Sequence, residues 1–195
     1  MALDAGEVSP LIVDFPGTLG PLIDRYLAEV GEPDERLALL RWQMAERHAL
    51  DDRRTMPGHV TTSAFVISPD AKQVLLIDHR TIGRWLQPGG HYEPAASFAA
   101  SAAREAVEET AVVGLELHRW HGGGDLPLMI DSHEVPGKPS RNEAPHYHHD
   151  LQYLFVADPA LPLVAQQDEV SAAGWFAVDA LEAISPRGLK RIRAL

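Results

Sequence analysis

Four charged side chains fall within one short run: Arg104, Glu105, Glu108 and Glu109. They close an alanine-rich stretch that follows the pair Gly89-Gly90. On a helix turning ~100° per residue, with Arg104 set at zero, Glu108 lies near ~40°, Glu105 near ~100° and Glu109 near ~140°. Ala99, Ala103, Ala106, Val107 and Thr110 fall between roughly 200° and 300° by the same arithmetic. The spacing therefore predicts one acidic face and one small apolar face suited to close approach to a sheet. Carboxylates three and four residues apart converge and repel. Two chemistries fit: a solvated face with Arg104 and Glu108 as an i, i+4 pair, or a carboxylate nest for Mg²⁺ or Mn²⁺, which favour oxygen ligands. Arg104 could then orient a glutamate or touch phosphate. The spacing alone leaves both open.

A second constellation is rich in imidazole. On a strand His146, His148, Asp150 and Gln152 share one face, and Leu151, Tyr153 and Phe155 the other. Asp131 and His133 also share a face. Such His/Asp pairs could form a pocket floor, a phosphate grip or a further metal site. A half-buried strand with a polar outer face is the plainer reading. His91 follows the glycine pair, where a metal or phosphate could meet it; a loop histidine is again the plainer reading. His48 and His59 read as surface or loop residues. Trp85 could stack on a base, but a Trp at a strand end more often packs in the core. No helix pattern follows His121-Gly122-Gly123-Gly124-Asp125, so it reads as a flexible connection and not as a phosphate loop.

The elements that must position these groups follow from periodicity. Residues 1 to about 17 have little, with Pro10 and Pro16 as breakers. Leu22, Ile23, Tyr26, Leu27 and Val30 recur at helical spacing. A second helix is expected from Pro33 to His48, with Asp34 and Glu35 in its first turn. A charged run, Asp51-Asp52-Arg53-Arg54, leads to Pro57-Gly58. Strands are expected at Val60–Ile67 and Gln73–Ile77, joined as a hairpin through Ser68-Pro69-Asp70-Ala71-Lys72. Trp85–Gln87 forms a short strand, and Pro94–Val112 the alanine-rich helix. Leu126–Val135 and Tyr147–Ala157 are strands separated by a loop from Pro136 to Pro145. A last strand, Gly174–Val178, precedes one or two helices.

The 195 residues suffice for one ordinary domain with an elaboration. No apolar run is long enough to span a bilayer. The first residues, MALDAGEVSP, lack the basic-then-apolar layout of a signal peptide, which makes the cytoplasm the default expectation. Cysteine is absent, which excludes disulfides, thiolate ligands and thiol nucleophiles. The formal net charge of −11 disfavours nucleic acid as a partner. An anionic small molecule would need a bridging cation.

The stretch from Gly90 to Val112 resembles the Nudix box, G-x5-E-x7-R-E-U-x-E-E-x-G-U with U aliphatic. Gly90, Arg104-Glu105, Glu108-Glu109 and Val112 match in register. The run Gly83-Arg84-Trp85-Leu86-Gln87-Pro88-Gly89-Gly90 and the Trp175-Phe176 strand fit the same family, over residues 58 to 185. Three positions depart: Ala96 stands where glutamate is expected, Ala106 where a larger aliphatic is expected and Ala111 where glycine is expected. A glycine there would suit a left-handed cap; the alternative is a helix that runs on to Gly114. Glu93 survives in the loop before the helix.

The resemblance implies an α+β fold, an α/β/α sandwich with a mixed sheet between helices. It divides the chain into an N-terminal helical extension, 1–56, and a Nudix domain, 57–195. The apolar stripes of the extension need a partner: the site, a second copy in a homodimer, or their own domain. The implied activity is Mg²⁺- or Mn²⁺-dependent hydrolysis of a diphosphate linkage in a nucleoside diphosphate derivative. Metal would lie on Glu105, Glu108 and Glu109. Glu109 or Glu105 would act as base with Arg104 in support, and Glu169 is a second candidate base. Gly89, Gly90, His91, His148 and Asp150 are the candidate substrate-binding residues. The family's isopentenyl diphosphate isomerases rely on a cysteine, which this chain lacks, and its regulators carry a DNA-binding module, which is not evident. Two further readings stay open: a sensor that binds a nucleotide without turnover, motivated by Ala96 and Ala111, and a metal hydrolase built on the histidines.

Overall fold

The computed structural model describes residues 12–31, 33–137, 143–166 and 168–195. Pro10 and the middle of the Pro136–Pro145 loop lie outside the described residues. The centre of the molecule is β1, Gly58–Ile67, with every residue buried. It runs parallel to β7, His146–Val156, in register from Gly58 opposite Tyr147 to Ile67 opposite Val156. β7 is flanked on its far edge by β6, Met129–Val135, and β5, Glu116–Leu117. β2, Gln73–His79, pairs with β3, Arg84–Leu86, and β8, Val170–Ala177. With β4, Gly89–His91, these strands make one mixed sheet of eight.

Alternation along β1 sends successive side chains to opposite faces. Ala64 and Val66 join a core with Leu22, Ile23 and Tyr26 of α1, Phe15–Val30, Leu40 of α2, Ala38–Ala45, and Ala102 and Ala106 of α3, Phe98–Thr110. Phe65 and Ile67 pack on the other face against Leu181, and against Leu189 and Ile192 of α4, Pro186–Ile192. Helices thus cover both faces of the sheet, the α+β sandwich expected from sequence. Among the described residues no helix is long and apolar enough to cross a membrane.

Several expected boundaries move for physical reasons. Pro16 does not break the first helix. It sits in its first turn, where a missing N–H costs no hydrogen bond. The second helix is shorter than Pro33–His48: a 3₁₀ turn, Asp34–Leu37, precedes α2. The expected hairpin is splayed, because β1 and β2 meet only at Ile67 and Val74. The edge of β1 that β2 leaves is taken by β4, with Thr61, Thr62 and Ser63 opposite His91, Gly90 and Gly89. A glycine pair gave no strand signal, so β4 was unexpected. α3 does not run on to Gly114. It stops at Thr110, and Ala111 adopts φ 51°, ψ 26°, with its N–H on the Val107 carbonyl at 2.8 Å. The left-handed cap is kept without the glycine, at a cost of about 1 kcal/mol.

The stripes of α1 and α2 bury on their own sheet, and two buried polar contacts fix them there. The Ile130 N–H donates to Tyr26 Oη at 3.0 Å. Gln43 of α2, fully buried, donates to the Gly58 carbonyl at 2.8 Å and its Oε1 lies 2.8 Å from His149 Nε2. Ser132 Oγ contacts the other nitrogen of His149. A Gln43→Ala chain leaves the Gly58 carbonyl and the His149 ring short of a partner inside the core, and should lose about 2 kcal/mol in chemical denaturation. A loss below about 0.5 kcal/mol would place the anchoring of α2 elsewhere.

Candidate functional site

α3 starts where its backbone donors find oxygens. Ser97 caps Ala100 N–H at 3.0 Å, and the Asp125 carboxylate takes the N–H groups of Phe98 and Ala99, each at 2.9 Å. The segment read as a flexible connection is therefore an anchored turn. His121 inside it is buried, with Nδ1 2.7 Å from the Leu126 carbonyl and Nε2 accepting from Leu154 N–H at 3.1 Å.

The face that α3 buries includes Ala99, Ala106 and Thr110 of the apolar side that periodicity assigned, but it is wider and turned toward Glu109. Phe98, Ala99, Ser101, Ala102, Ala106, Glu109 and Thr110 are buried, whereas Val107 is 45% exposed. The buried arc is centred near ~150°, on the side of Glu105 and Glu109. β4 lies beneath that side. Gly89 N–H donates to Glu109 Oε2 at 2.9 Å. A Cβ on Gly90 would sit 2.6 Å from Glu105 Oε2, and one on Gly89 would sit 2.5 Å from Ser63 Cβ. Gly89 therefore has no room for a side chain, one on Gly90 would displace the Glu105 carboxylate, and the glycine strand makes the room into which the carboxylates fold.

Arg104 ties the acidic groups together. It reaches Glu105 Oε1 at 2.6 Å, Glu108 Oε2 at 2.8 Å and Glu93 Oε2 at 3.3 Å. One guanidinium does not balance the cluster. Burial, against the pull of Arg104 and with the added fields of Glu108 and Glu93, pushes the Glu105 carboxyl up to about 7. Burial pushes Glu109 up to about 8, against the Gly89 hydrogen bond and with Glu105, Glu169 and Glu108 adding to it. Two carboxylates that resist ionisation, side by side on oxygen-lined ground, form a donor set suited to a hard divalent cation.

These residues open onto a cleft of about 680 Å³. Gly90, His91, Glu93 and the α3 carboxylates form one wall. The others come from segments that spacing did not connect to the site: Asp51, Asp52 and Arg53 after α2, and Gln166 and Asp168 before β8. The charged run at 51–54 was visible as charge, but nothing in its sequence gave its direction. Glu169, flagged from its strand, also lines the cleft. Ala96 is exposed in the loop before Ser97. Trp85 packs on Phe176, ring centroids 4.6 Å apart, which is the core reading.

The histidines gather on the sheet beside the cleft. His133 and Asp131 of β6 face His148 and Asp150 of β7 as direct register partners. Asp150 is buried, accepting from Ser63 and Gln152 at 2.7 Å each and from Thr61 at 3.2 Å. His59, expected at the surface, is 1% exposed. It stands opposite His148, with its ring 5.0 Å from those of His146 and His148 and 5.1 Å from that of His91. The expectation failed because a lone histidine carries no periodicity, whereas β1 is buried on both faces. Burial and the surrounding imidazoles hold His148 down at about 2. His91, read as a loop residue, belongs to β4.

The family model for the NUDIX domain matches residues 57–194. Among solved structures, the chain is similar to a NUDIX family hydrolase from Clostridium perfringens, 22% identical, covering 70% of this chain and 97% of that one, with a TM-score of 0.47. It is similar to a C. elegans Ap4A hydrolase, 16% identical over 69% and 95% of the two chains, TM-score 0.49. It is also similar to the E. coli dihydroneopterin triphosphate pyrophosphohydrolase, 16% identical over 70% and 93%, TM-score 0.50. At these identities the likeness is one of fold. No curated protein matches the chain.

A raised carboxyl has a stability signature. Glu109 holds its proton to about pH 8 in the folded chain but releases it near 4.5 when unfolded. The folded state binds more protons between those values, so this group withdraws stability as pH rises through them. In chelator, Glu109→Gln should melt close to the parent near pH 5 and several degrees above it near pH 8. A melting difference independent of pH would contradict the burial of this carboxyl.

Proposed function

The chain belongs to the NUDIX domain family, and from that premise we propose that it is a divalent-metal-dependent pyrophosphohydrolase acting on a nucleoside diphosphate derivative. The supporting observation is the placement of buried Glu109 and partly buried Glu105 side by side in an acidic cleft, with Arg104 bridging the glutamates. Glu105, Glu108 and Glu109 would hold Mg²⁺ or Mn²⁺, which would neutralise the diphosphate and make water acidic enough to attack. The protein's own contribution is positioning. Arg104 fixes Glu105 and Glu108, and Gly89 N–H fixes Glu109.

Glu109 is the leading base. It would take the proton from water directly or through the ion it holds. Glu105 is the alternative, and Glu169 also lines the cleft. Gly89 and Gly90 present backbone without side chains, so a phosphate can approach them closely. His91 is the cleft-lining histidine, His148 lies behind it, and Asp150 holds the β1–β7 seam on which both depend. Residues 1–56 would be the N-terminal extension, with α1 and α2 in its described part, and 57–195 the catalytic domain, with the extension lending Asp51, Asp52 and Arg53 to the cleft. A nucleotide-type small molecule is the partner; the net charge of −11 weighs against nucleic acid.

A panel of nucleoside diphosphate derivatives with Mg²⁺ or Mn²⁺ tests this. Cleavage should require the ion and fall about 10²- to 10⁴-fold in Glu109→Gln. A folded parent that binds such a nucleotide without cleaving it would instead be a sensor. Turnover that survives Glu109→Gln but not His148→Gln would move the chemistry to the histidines.

A further inference from the structure

Beside the carboxylates lies a set of groups of different chemistry. One ligand nitrogen each from His59, His91 and His148 lies within 4.8 Å of the others. They stand on three adjacent strands, β1, β4 and β7, whose backbones are paired at or next to these residues: His59 opposite His148, and His91 opposite Thr61. Positions on paired strands are held more firmly than positions on loops.

The hydrogen bonds around these rings decide which nitrogens are free. A carbonyl only accepts, so a ring nitrogen bonded to one must carry the proton. His59 Nδ1 lies 3.4 Å from the Thr55 carbonyl, and His146 Nδ1 lies 2.9 Å from that of Ala144. Each neutral ring then presents its Nε2 lone pair. This is the arrangement by which backbone carbonyls orient histidine ligands of metals. His59 Nε2 is buried and has no hydrogen-bond partner among the described residues. A buried lone pair left unmatched costs about 1–3 kcal/mol, and a cation would satisfy it. His146 Nε2 then accepts from His148 Nε2 at 3.2 Å, which leaves the lone pair of the His148 ring on Nδ1. Two nitrogens on one tetrahedral ion at ~2.1 Å are about 3.4 Å apart, so ligand nitrogens within 4.8 Å of one another close onto such an ion by movements of about 1 Å.

We propose that His59, His91 and His148 form a second metal centre, one that takes a transition-metal dication such as Zn²⁺. Three imidazoles select against Mg²⁺ and Mn²⁺, which prefer oxygen. They leave a fourth tetrahedral position open, and His91 is the ligand that lines the cleft. The chain therefore separates its ions by donor chemistry: oxygen on α3, nitrogen on the sheet.

The test uses the full chain, stripped by chelator and held in excess Mg²⁺ to fill the carboxylates. Zn²⁺ and Co²⁺ are then titrated, with metal content, visible Co²⁺ absorption and melting temperature as readouts. The parent should retain one Zn²⁺ after desalting, melt higher with it, and give a ligand-field band with Co²⁺. His59→Gln and His148→Gln should each weaken Zn²⁺ binding about 100-fold, and Glu109→Gln should not. Where either buried variant unfolds, His91→Gln at the half-buried position must show the same loss in a chain with an intact circular dichroism spectrum. Absence of Zn²⁺ and Co²⁺ binding by the folded parent would overturn the proposal. So would retention by folded histidine variants, or loss in Glu109→Gln instead.

Discussion

Much of this molecule turns on one contact, the Gly89 N–H on the Glu109 carboxylate at 2.9 Å. A carboxylate turned toward a sheet and 4% exposed is costly unless something receives it. Here the receiver is a backbone donor on a strand without side chains. Gly90 leaves the space that Glu105 occupies in the same way. The splayed β1–β2 hairpin is what lets β4 reach the edge of β1 and deliver those two residues. The small side chains of α3, with Ala102 and Ala106 fully buried, let the helix come close enough to use them.

Charge then sets the character of the site. Arg104 holds Glu105 and Glu108, yet both Glu105 and Glu109 remain raised well above ordinary carboxyls. Among the described residues the cleft adds five more carboxylates and, on the positive side, only Arg53. Such a surface repels a diphosphate unless cations intervene. The histidines beside it carry no such charge at neutral pH where burial holds them down, as at His148. The two clusters differ in donor type, in charge and in the element that carries them.

What was legible in sequence follows from which residues carry a repeating signal. The strands 60–67 and 147–157, rich in β-branched and aromatic residues, were readable to within two residues at each end. The register of Arg104, Glu105, Glu108 and Glu109 was readable as a motif. The direction in which α3 turns was not. Periodicity assigns carboxylates outward and Val107 inward; Ala99, Ala106 and Thr110 are buried as assigned, but the glycine strand draws Glu109 inward through a contact between distant segments and Val107 is left exposed. The Asp51–Arg53 wall and the burial of His59 depend likewise on tertiary placement. Ala111 shows the converse: the sequence departs from the expected glycine, and the backbone takes the left-handed cap all the same.

The most direct test of the buried carboxylates as cation ligands is anomalous scattering from crystals soaked in Mn²⁺. Peaks are expected among Glu105, Glu108 and Glu109 on the cleft side of α3, and their loss when Glu105 and Glu109 are both replaced by Gln. Mn²⁺ absent from these side chains at full soak, or found only at the imidazoles of β1, β4 and β7, would contradict it.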